Sequence, residues 1–285
     1  MTVQSVKYQH NLELALGCDL DNKTVCRHQY TTFPLRLSTP FYLEGAASQR
    51  VYHYLINTSP GLLAGDRLNL SLQLAANSHL HLTDQAATKV HPLRLNTSKG
   101  VINYQIVVEA DASLELCPEP IILYRDAVLE QNTVIKMHDR AKLWLSEIVL
   151  PGRLAKQEYY DFNYYLNRLQ VQDLTGRLLF ADATRLIGKQ NKFRHHQLFA
   201  SLPIMGSAIA VFPDLKLDLL IDQLLEIAPS NSYHLETAIS TLPNTNGILI
   251  RALSDKTSRL KRYFTQTINC IRSMTNQPYL PYIPK

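Results

Sequence analysis

The sequence predicts an all-β dominated fold, a β-helix-like stack of strands with about two C-terminal α-helices. Apolar and polar residues alternate with period two up to about residue 200, a corner between strands recurs, and amphipathic helical stretches follow near the C-terminus. We predict a single domain over 1–285, with a β-rich body at 1–210, a helix–strand–helix part at 211–275 and a proline-rich tail at 276–285.

The alternation is clearest in the run LNLSLQL, where the leucines at 68, 70, 72 and 74 fall on one face. Three similar corners follow, LAANSHLHL, VEADASLEL and MHDRAKLWL, which begin 34 and then 29 residues apart. Each joins one predicted strand to the next through a short polar connection. Strand pairs repeated at such intervals are typical of stacked β layers, either β-helix-like or arranged as a sandwich.

The stretch NRLQVQDLTGRLLFAD predicts a hairpin with Thr175 and Gly176 in its turn. After residue 213 the pattern changes to the period of a helix. The run DLKLDLLIDQLLEIA predicts a helix with an apolar stripe of Leu215, Leu219, Leu220, Leu224 and Ile227.

The stretch NGILIRALS predicts one more strand, and SDKTSRLKRYFTQTINCIRSM predicts the last helix. Ser254 is the expected N-cap of this helix. Its expected buried stripe consists of Leu260, Phe264, Ile268 and Ile271.

Composition narrows the function classes. The formal charge of +5 is spread along the chain, so the dense basic face of a nucleic-acid binder is not expected. No apolar run approaches the ~20 residues that span a bilayer, and the first residues show no secretory signal. The four cysteines form no C-x-x-C pair, which predicts free thiols in a cytoplasmic protein. The spread charge and the short apolar runs predict that it has no nucleic-acid or membrane partner.

The segment NTSPGLLAGDRLN concentrates Pro60, Gly61, Gly65 and Asp66 in one connection. A phosphate-binding loop is excluded, because Asp66 follows the second glycine and a strand, not a helix, comes next. The simpler interpretation is a turn whose glycines permit positive φ. The functional interpretation is a loop that exposes Asp66 at a surface or channel.

The segment TDQAATKVHP is polar after an apolar strand and includes Thr88 and Lys89. It is either a surface connection or a polar patch that faces a partner or a cavity. His79 and His81 share one strand face and are weak candidates for binding a transition-metal ion. We favour two solvent-facing histidines, and we predict no tightly bound metal or cofactor and no catalytic residue.

Two glutamates bracket the turn at Gly152 and Arg153. Glu147 interrupts an apolar strand, so its charge must be paired, hydrated or functional, and Arg153 is an obvious partner. Glu158 lies on the other side of the turn. Glycosidases use two carboxylates at a fixed separation, so a carbohydrate-active β-helix enzyme that uses Glu147 and Glu158 is the alternative function.

Five segments, in order, resemble the motifs of the urease accessory protein family UreD, called UreH in some organisms. They are NTSPGLLAGDRL, LTDQAATKV, LCPEPIILYRDA, SEIVLPGRLAKQE and GILIRAL, and the resemblance as a whole covers about residues 30 to 275. The chain departs from the family pattern at Pro60, Ala64 and Gln157, where glycines are usual. These changes make the loops stiffer.

The resemblance implies a β-helix-like, non-enzymatic maturation factor that binds apo-urease, UreF and the GTPase UreG. It also implies that the assembly delivers Ni²⁺ to the urease active site, with nickel passing through a tunnel in this protein. Such a conduit needs weakly binding carboxylates and hydroxyls, because a tight site would trap the ion. We therefore predict that Asp66, Glu147 and Glu158 line or support a polar path, with Thr88 and Lys89 nearby, and that nickel binds transiently.

Overall fold

The computed structural model describes residues 10–45, 48–92, 99–190, 195–227 and 234–283. Strands dominate this part of the chain, which confirms the predicted fold class. In chain order they are β1 (Leu12–Cys18), β2 (Thr24–Thr31), β3 (Leu35–Leu37), β4 (Arg50–Asn57), β5 (Arg67–Leu74), β6 (His79–Asp84), β7 (Thr88–Val90), β8 (Gly100–Val108), β9 (Ser113–Cys117), β10 (Ile121–Leu123), β11 (Val128–Met137), β12 (Lys142–Leu150), β13 (Tyr164–Asp173), β14 (Leu178–Leu186), β15 (Ile204–Val211), β16 (Leu235–Thr241) and β17 (Gly247–Ser254).

Three α-helices accompany the strands within the described residues. They are α1 (Gln197–Ser201), α2 (Leu217–Ile227) and α3 (Thr257–Met274). The last two correspond to the predicted C-terminal helices, and α1 is a short addition that the sequence pattern did not indicate. Residue 228 of the predicted first helix and residues 284 and 285 of the predicted tail lie outside the described residues.

The strands form two sheets, which we call sheet A and sheet B. Sheet A has the order β14-β13-β11-β8-β5-β1-β2, and sheet B has the order β16-β17-β15-β12-β9-β6-β4-β3, with β10 beside β12 and β7 beside β10. From β4 to β13 the longer strands alternate between the sheets, and each pairs in parallel with the strand one coil earlier. This winding is the predicted β-helix-like arrangement.

The three predicted corners lie at equivalent places in successive coils. Leu74 of the first corner pairs with Val108 of the second, and Val108 pairs with Met137 of the third. Across each corner, Leu80, Leu114 and Leu143 pair in the same way in sheet B. The sequence repeat therefore reports a structural repeat of one coil.

Two apolar cores follow from this layering. The first lies between the sheets and is built from the inward leucines, isoleucines and valines of successive coils. The second lies between the outer face of sheet B and the helices α2 and α3, and it includes the predicted stripe of α3. Parallel strands are stable when both faces are covered, and the helices cover one face of sheet B in this way.

Two details of the C-terminal part differ from the sequence predictions. Leu220 and Leu224 of α2 are fully buried, but Leu219 is 52% exposed, because neighbouring helical residues point about 100° apart. Ser254 is not the N-cap of α3. It ends β17, where its hydroxyl donates to the His234 carbonyl at 2.7 Å, and α3 begins at Thr257.

A buried ion cluster joins the end of α3 to sheet B. The guanidinium of Arg272 is 1% exposed and donates to both carboxylate oxygens of Glu115, at 2.9 and 2.6 Å. It also donates to Glu44 at 2.8 Å and to the Tyr52 hydroxyl at 3.1 Å. Arg50 lies 3.4 Å from Glu44 and 3.5 Å from Glu115. Because its charges are well paired, this cluster can hold α3 in one position on the sheet.

Burial alone would raise the pKa of the Glu115 carboxyl. The charges of Arg50 and Arg272 and a hydrogen bond with His81 instead hold its pKa well below the usual range. His81 Nδ1 lies 2.7 Å from Glu115 Oε2, while burial lowers the pKa of the imidazole itself. Glu115 is therefore ionised beneath α3. No local sequence pattern indicates this cluster.

Candidate functional site

A line of cavities runs between the two sheets. The first is about 30 Å³ and lies against Asn57, Leu68 and Asp84. The second is also about 30 Å³ and lies against Asp84, Gln131 and Glu147. Both share the side chains of Asp84, Thr88, Ile102 and Tyr104. A cavity of this size holds one or two waters, so the pair provides a narrow polar space inside an otherwise apolar core.

Glu147 connects this space to a third, wider pocket. The third pocket has a volume of about 460 Å³ and is bordered by Glu147, Asn167 and Arg251, with Leu198 and Phe199 of α1 on one side. We call the three cavities together the interior path. They run from the loop before β5, past Asp84 and Glu147, to the pocket beside α1.

Glu147 lies on the inner face of β12 and is held by two amides. Gln131 of β11 donates to Oε1, and Asn167 of β13 donates to Oε2 at 2.6 Å. Burial raises the pKa of the Glu147 carboxyl, although these two hydrogen bonds favour the charged form. The prediction that Arg153 pairs with Glu147 is wrong, because the amides of Gln131 and Asn167 bind this carboxylate instead. Among the described residues, no lysine, arginine or histidine forms an ion pair with Glu147.

Tyr104 borders the second cavity together with the carboxylates of Asp84 and Glu147. Burial raises the pKa of its phenol well above 10, and the charges of Asp84 and Glu147 act in the same direction. The phenol therefore stays neutral and can donate or accept a hydrogen bond. Asp84 also accepts from the backbone amide of Glu119 at 3.1 Å, which orients its carboxylate.

Glu158 lies elsewhere, in the turn after β12. It is 4% exposed and makes a two-pronged ion pair with Arg153, whose Nε donates to Oε2 at 2.8 Å. The hydrogen bond from Arg153 lowers the pKa of the Glu158 carboxyl. Gly152 has φ of 151°, and a Cβ there would lie 2.2 Å from the Glu158 carbonyl oxygen. Glu158 is thus part of the turn and is not among the residues that line the interior path.

Replacing Arg153 with alanine is expected to destabilise the fold by about 1–3 kcal/mol at neutral pH, because a buried carboxylate loses a charged hydrogen-bond donor. The folded-state pKa of Glu158 is depressed, so the contribution of this pair is present above the unfolded pKa and disappears as pH falls through the folded value. Urea unfolding of both proteins across acidic pH measures this. If the difference in unfolding free energy between the wild type and Arg153→Ala grew as pH fell, the stabilising role of the Arg153–Glu158 ion pair would be contradicted.

The glycosidase alternative receives no support from this geometry. That chemistry requires one protonated and one ionised carboxyl on either side of a single bond. Glu147 is bound by amides between the sheets, whereas the buried Glu158 is ion-paired with Arg153 in the turn after β12. The two carboxylates have separate partners and separate surroundings.

The loop before β5 packs against β7. Leu62 donates to the Lys89 carbonyl at 2.8 Å, and Gly61 has φ of 144°, where a Cβ would lie 2.4 Å from the same carbonyl oxygen. Asp66 is half-buried and its Oδ2 accepts from the Leu63 amide at 2.8 Å. Pro60 fits into this loop, and its carbonyl oxygen lies 3.2 Å from His91 Nε2. Gly65 has φ of 90°, so both retained glycines have positive φ, which favours glycine at these positions.

The loop joins two residues that line the first cavity, Asn57 and Leu68. Asp66 therefore lies at the start of the interior path without being one of its lining residues. Thr88 lines both small cavities, whereas the adjacent Lys89 is exposed. The structure thus brings Thr88 and Glu147 to the path, places Asp66 at its start, and separates Lys89 and Glu158 from it.

The expectation of two solvent-facing histidines is wrong. His79 and His81 do lie opposite the inter-sheet core, but α3 and the segment after it cover that face. His81 is 1% exposed and His79 is half-buried, with Nδ1 2.8 Å from the Ser113 hydroxyl. Among the described residues, no group of three or more histidine, cysteine, aspartate or glutamate side chains has the arrangement of a metal site.

Sequence reasoning missed Gln131, Tyr104 and Asn167 as members of the site. A signal existed: Gln131 and Thr133 occupy inward positions of β11 between apolar residues Leu129 and Ile135. Polar side chains at inward positions of a stacked strand indicate a polar interior.

No helix in the described part of the chain combines the length and apolarity needed to cross a bilayer.

Comparison with known proteins assigns the family. A family model described as UreD urease accessory protein matches residues 9–285. The chain belongs to the UreD family. It is 49% identical over 276 residues to the urease accessory protein UreD of Trichodesmium erythraeum, an alignment that covers 97% of this chain and 99% of that protein.

More distant UreD-family relatives give the same result. The chain is 31% identical to UreD of Photorhabdus laumondii over 80% of its own length and 71% of that protein. It is 30% identical to the urease accessory protein UreH of Helicobacter hepaticus over 88% of its own length and 94% of that protein. The family description is that of an accessory protein of urease, and this supports a role in urease maturation.

Proposed function

We propose that this chain binds apo-urease together with UreF and the GTPase UreG, and that Ni²⁺ passes through the interior path toward the urease active site. Glu147, which borders both the second cavity and the wide pocket, carries the nickel part of the proposal. It is the point at which a narrow interior space meets an open pocket. Because the GTPase partner needs GTP, we place this assembly in the cytoplasm.

The chemistry of the path supports passage rather than storage. Asp84 and Glu147 supply two carboxylates that both border the second cavity, and Thr88, Tyr104 and Gln131 supply neutral oxygen atoms. A small cavity cannot contain a fully hydrated ion, so nickel exchanges part of its water for these oxygens. Isolated oxygen ligands bind nickel less tightly than a closed histidine or cysteine cage, which allows release. Nickel is therefore cargo here, and no resident metal is required.

Co-expression tests the maturation role. With a tag on this chain, UreF, UreG and apo-urease from the same organism are expected to co-purify with it. Urease produced without this chain is expected to remain inactive in limiting nickel. Full urease activation in its absence would contradict the proposed role, whatever the fate of the interior path.

Asp66 remains a predicted member of the nickel route, at its start. Replacing Asp66 with alanine is expected to lower the rate of urease activation while UreF binding persists, because a carboxylate that attracts the cation is lost near the first cavity. The variant also loses one exposed hydrogen bond to Leu63, which costs about 1 kcal/mol and leaves the fold intact. Activation at the normal rate would show that Asp66 only shapes the loop.

A further inference from the structure

A second polar pocket lies on the opposite face of sheet B, outside the interior path. Its volume is about 430 Å³, and it is enclosed between the first residues of four parallel strands and the segment Thr275–Pro278 that follows α3. Ser48 and Glu44 border it on one side. Nothing in the interior path uses this pocket, so its side chains require a separate explanation.

The wall of this pocket is a single row of polar side chains, in which Arg50 donates to the Ser113 hydroxyl at 3.1 Å. Arg50 pairs with His79, His79 with Ser113, and Ser113 with Lys142 across β4, β6, β9 and β12. Strands in a sheet are spaced about 4.8 Å apart, so the four side chains extend over roughly 14 Å. Guanidinium, imidazole, hydroxyl and ammonium groups therefore lie side by side on the pocket wall.

The charges around the pocket do not cancel. Arg50, Arg272 and Lys142 carry three positive charges, while Glu44 and Glu115 carry two negative charges. Arg50 and Arg272 are both in contact with these glutamates. Within the described residues, no carboxylate lies within 4.0 Å of the Lys142 ammonium, which therefore adds an unbalanced positive charge at the end of the row.

The pKa of the His79 imidazole is lowered in this pocket. Burial, and then the charges of Arg50 and Lys142, lower the pKa of its imidazole to about 4, although Glu115 acts in the opposite direction. At neutral pH the ring is uncharged and its Nδ1 faces Ser113 at 2.8 Å. The pocket is thus positive through Lys142 and through Arg50, which is itself paired with Glu44, and neutral polar groups lie between them.

We propose that this pocket binds a small oxyanion, held by Lys142, His79 and Ser113 against the positive charge of Arg50. One negative charge balances the excess charge of the cluster, and its oxygens accept from the Lys142 ammonium and from either the Ser113 hydroxyl or His79 Nε2, whichever the tautomer of His79 leaves as a free donor. Asn276, in the segment after α3, borders the same space, whereas the Gln277 amide accepts from Arg50 and donates to the Thr275 hydroxyl at 2.9 Å. Phosphate and bicarbonate share this chemistry, and the experiment distinguishes them.

The test is a titration of the full chain with sodium phosphate and, separately, with sodium bicarbonate. Sodium chloride keeps the ionic strength constant, and the imidazole resonances of ¹⁵N-labelled histidine are followed. We expect saturable shifts of the His79 resonances with at least one anion and an upward shift of its pKa, because a bound negative charge favours imidazolium. The anion that produces these shifts identifies the ligand. No saturable shift with either anion would overturn the proposal.

Matched variants locate the site. Lys142→Gln is expected to weaken anion binding roughly tenfold, the size of one charged hydrogen bond, whereas Lys142→Arg retains binding. Lys136→Gln removes the same charge from an exposed position on sheet A and is expected to leave affinity unchanged. Equal weakening by Lys142→Gln and Lys136→Gln would mean that the anion only screens the net charge, which contradicts a built site. Thermal unfolding in chloride shows that each variant is folded.

Discussion

Replacing Arg272 with alanine is expected to destabilise the protein by about 3–5 kcal/mol, since it leaves Glu115 and Glu44 buried with only Arg50 to balance their two charges. Arg272 is 1% exposed and donates to both glutamates and to Tyr52. No other substitution considered for this chain removes so many buried hydrogen bonds at once. Urea unfolding followed by circular dichroism gives the free energy of unfolding directly.

Arg259 provides the matched control on the same helix. It pairs with Asp255 near the start of α3, where the side chain is 33% exposed, so Arg259→Ala is expected to cost less than about 1 kcal/mol. Combining Arg272→Ala with Glu115→Gln is expected to recover part of the loss, because the second change removes a buried charge that Arg50 alone does not balance. Similar stabilities for Arg272→Ala and Arg259→Ala would show that the cluster does not hold α3 in place.

Replacing Glu147 with glutamine is expected to lower the rate of nickel-dependent urease activation by about tenfold or more. The change keeps the shape of the side chain but removes the carboxylate where the second cavity meets the wide pocket. A tenfold effect requires only about 1.4 kcal/mol, which is small for a divalent cation beside a carboxylate in a partly buried site. Urease activity after co-expression in limiting nickel measures the effect.

Glu130 provides the control for this experiment. It lies on the outward face of β11, next to Gln131 in sequence, and pairs with Lys99 at 2.7 Å. Glu130→Gln removes the same charge without altering the interior path and is expected to activate urease normally. Both variants should bind UreF and UreG as the wild type does. Normal activation by Glu147→Gln, with the complex intact, would contradict nickel passage along this route.

The stacked fold was predictable because the repeat depends on local rules. Period-two alternation gives the inward face of each strand, and each polar corner ends one layer and begins the next. The pairing of Leu74 with Val108 and then Met137 is the structural consequence. The same local rules gave the buried stripe of α3, since helical periodicity does not depend on where the helix packs.

The site was only partly predictable because its partners come from different coils. Glu147 was identified by its position in an apolar strand, but Gln131 and Asn167 reach it through the register of β11, β12 and β13. Arg153 is close in sequence, yet Gly152 turns the chain so that Arg153 meets Glu158 instead. Which side chains face one another across the interior depends on how the two sheets stack.

The burial of His81 on the outer face of sheet B was likewise not predictable from the local sequence. Alternation correctly places it opposite the inter-sheet core, but the position at which α3 covers the sheet is a long-range property. Arg272 is 157 residues from Glu115, so their ion pair leaves no local pattern. Sequence periodicity therefore predicts faces, whereas the covering of a face depends on packing.

The location of nickel inside the protein tests the central claim most directly. Crystals of the full chain soaked in a nickel salt, and measured at the nickel absorption edge, give anomalous peaks at bound ions. We expect a peak between the sheets, beside the carboxylates of Asp84 or Glu147, and its loss in Glu147→Gln. Nickel found only on the outer surface, with the interior path empty at saturating nickel, would contradict it.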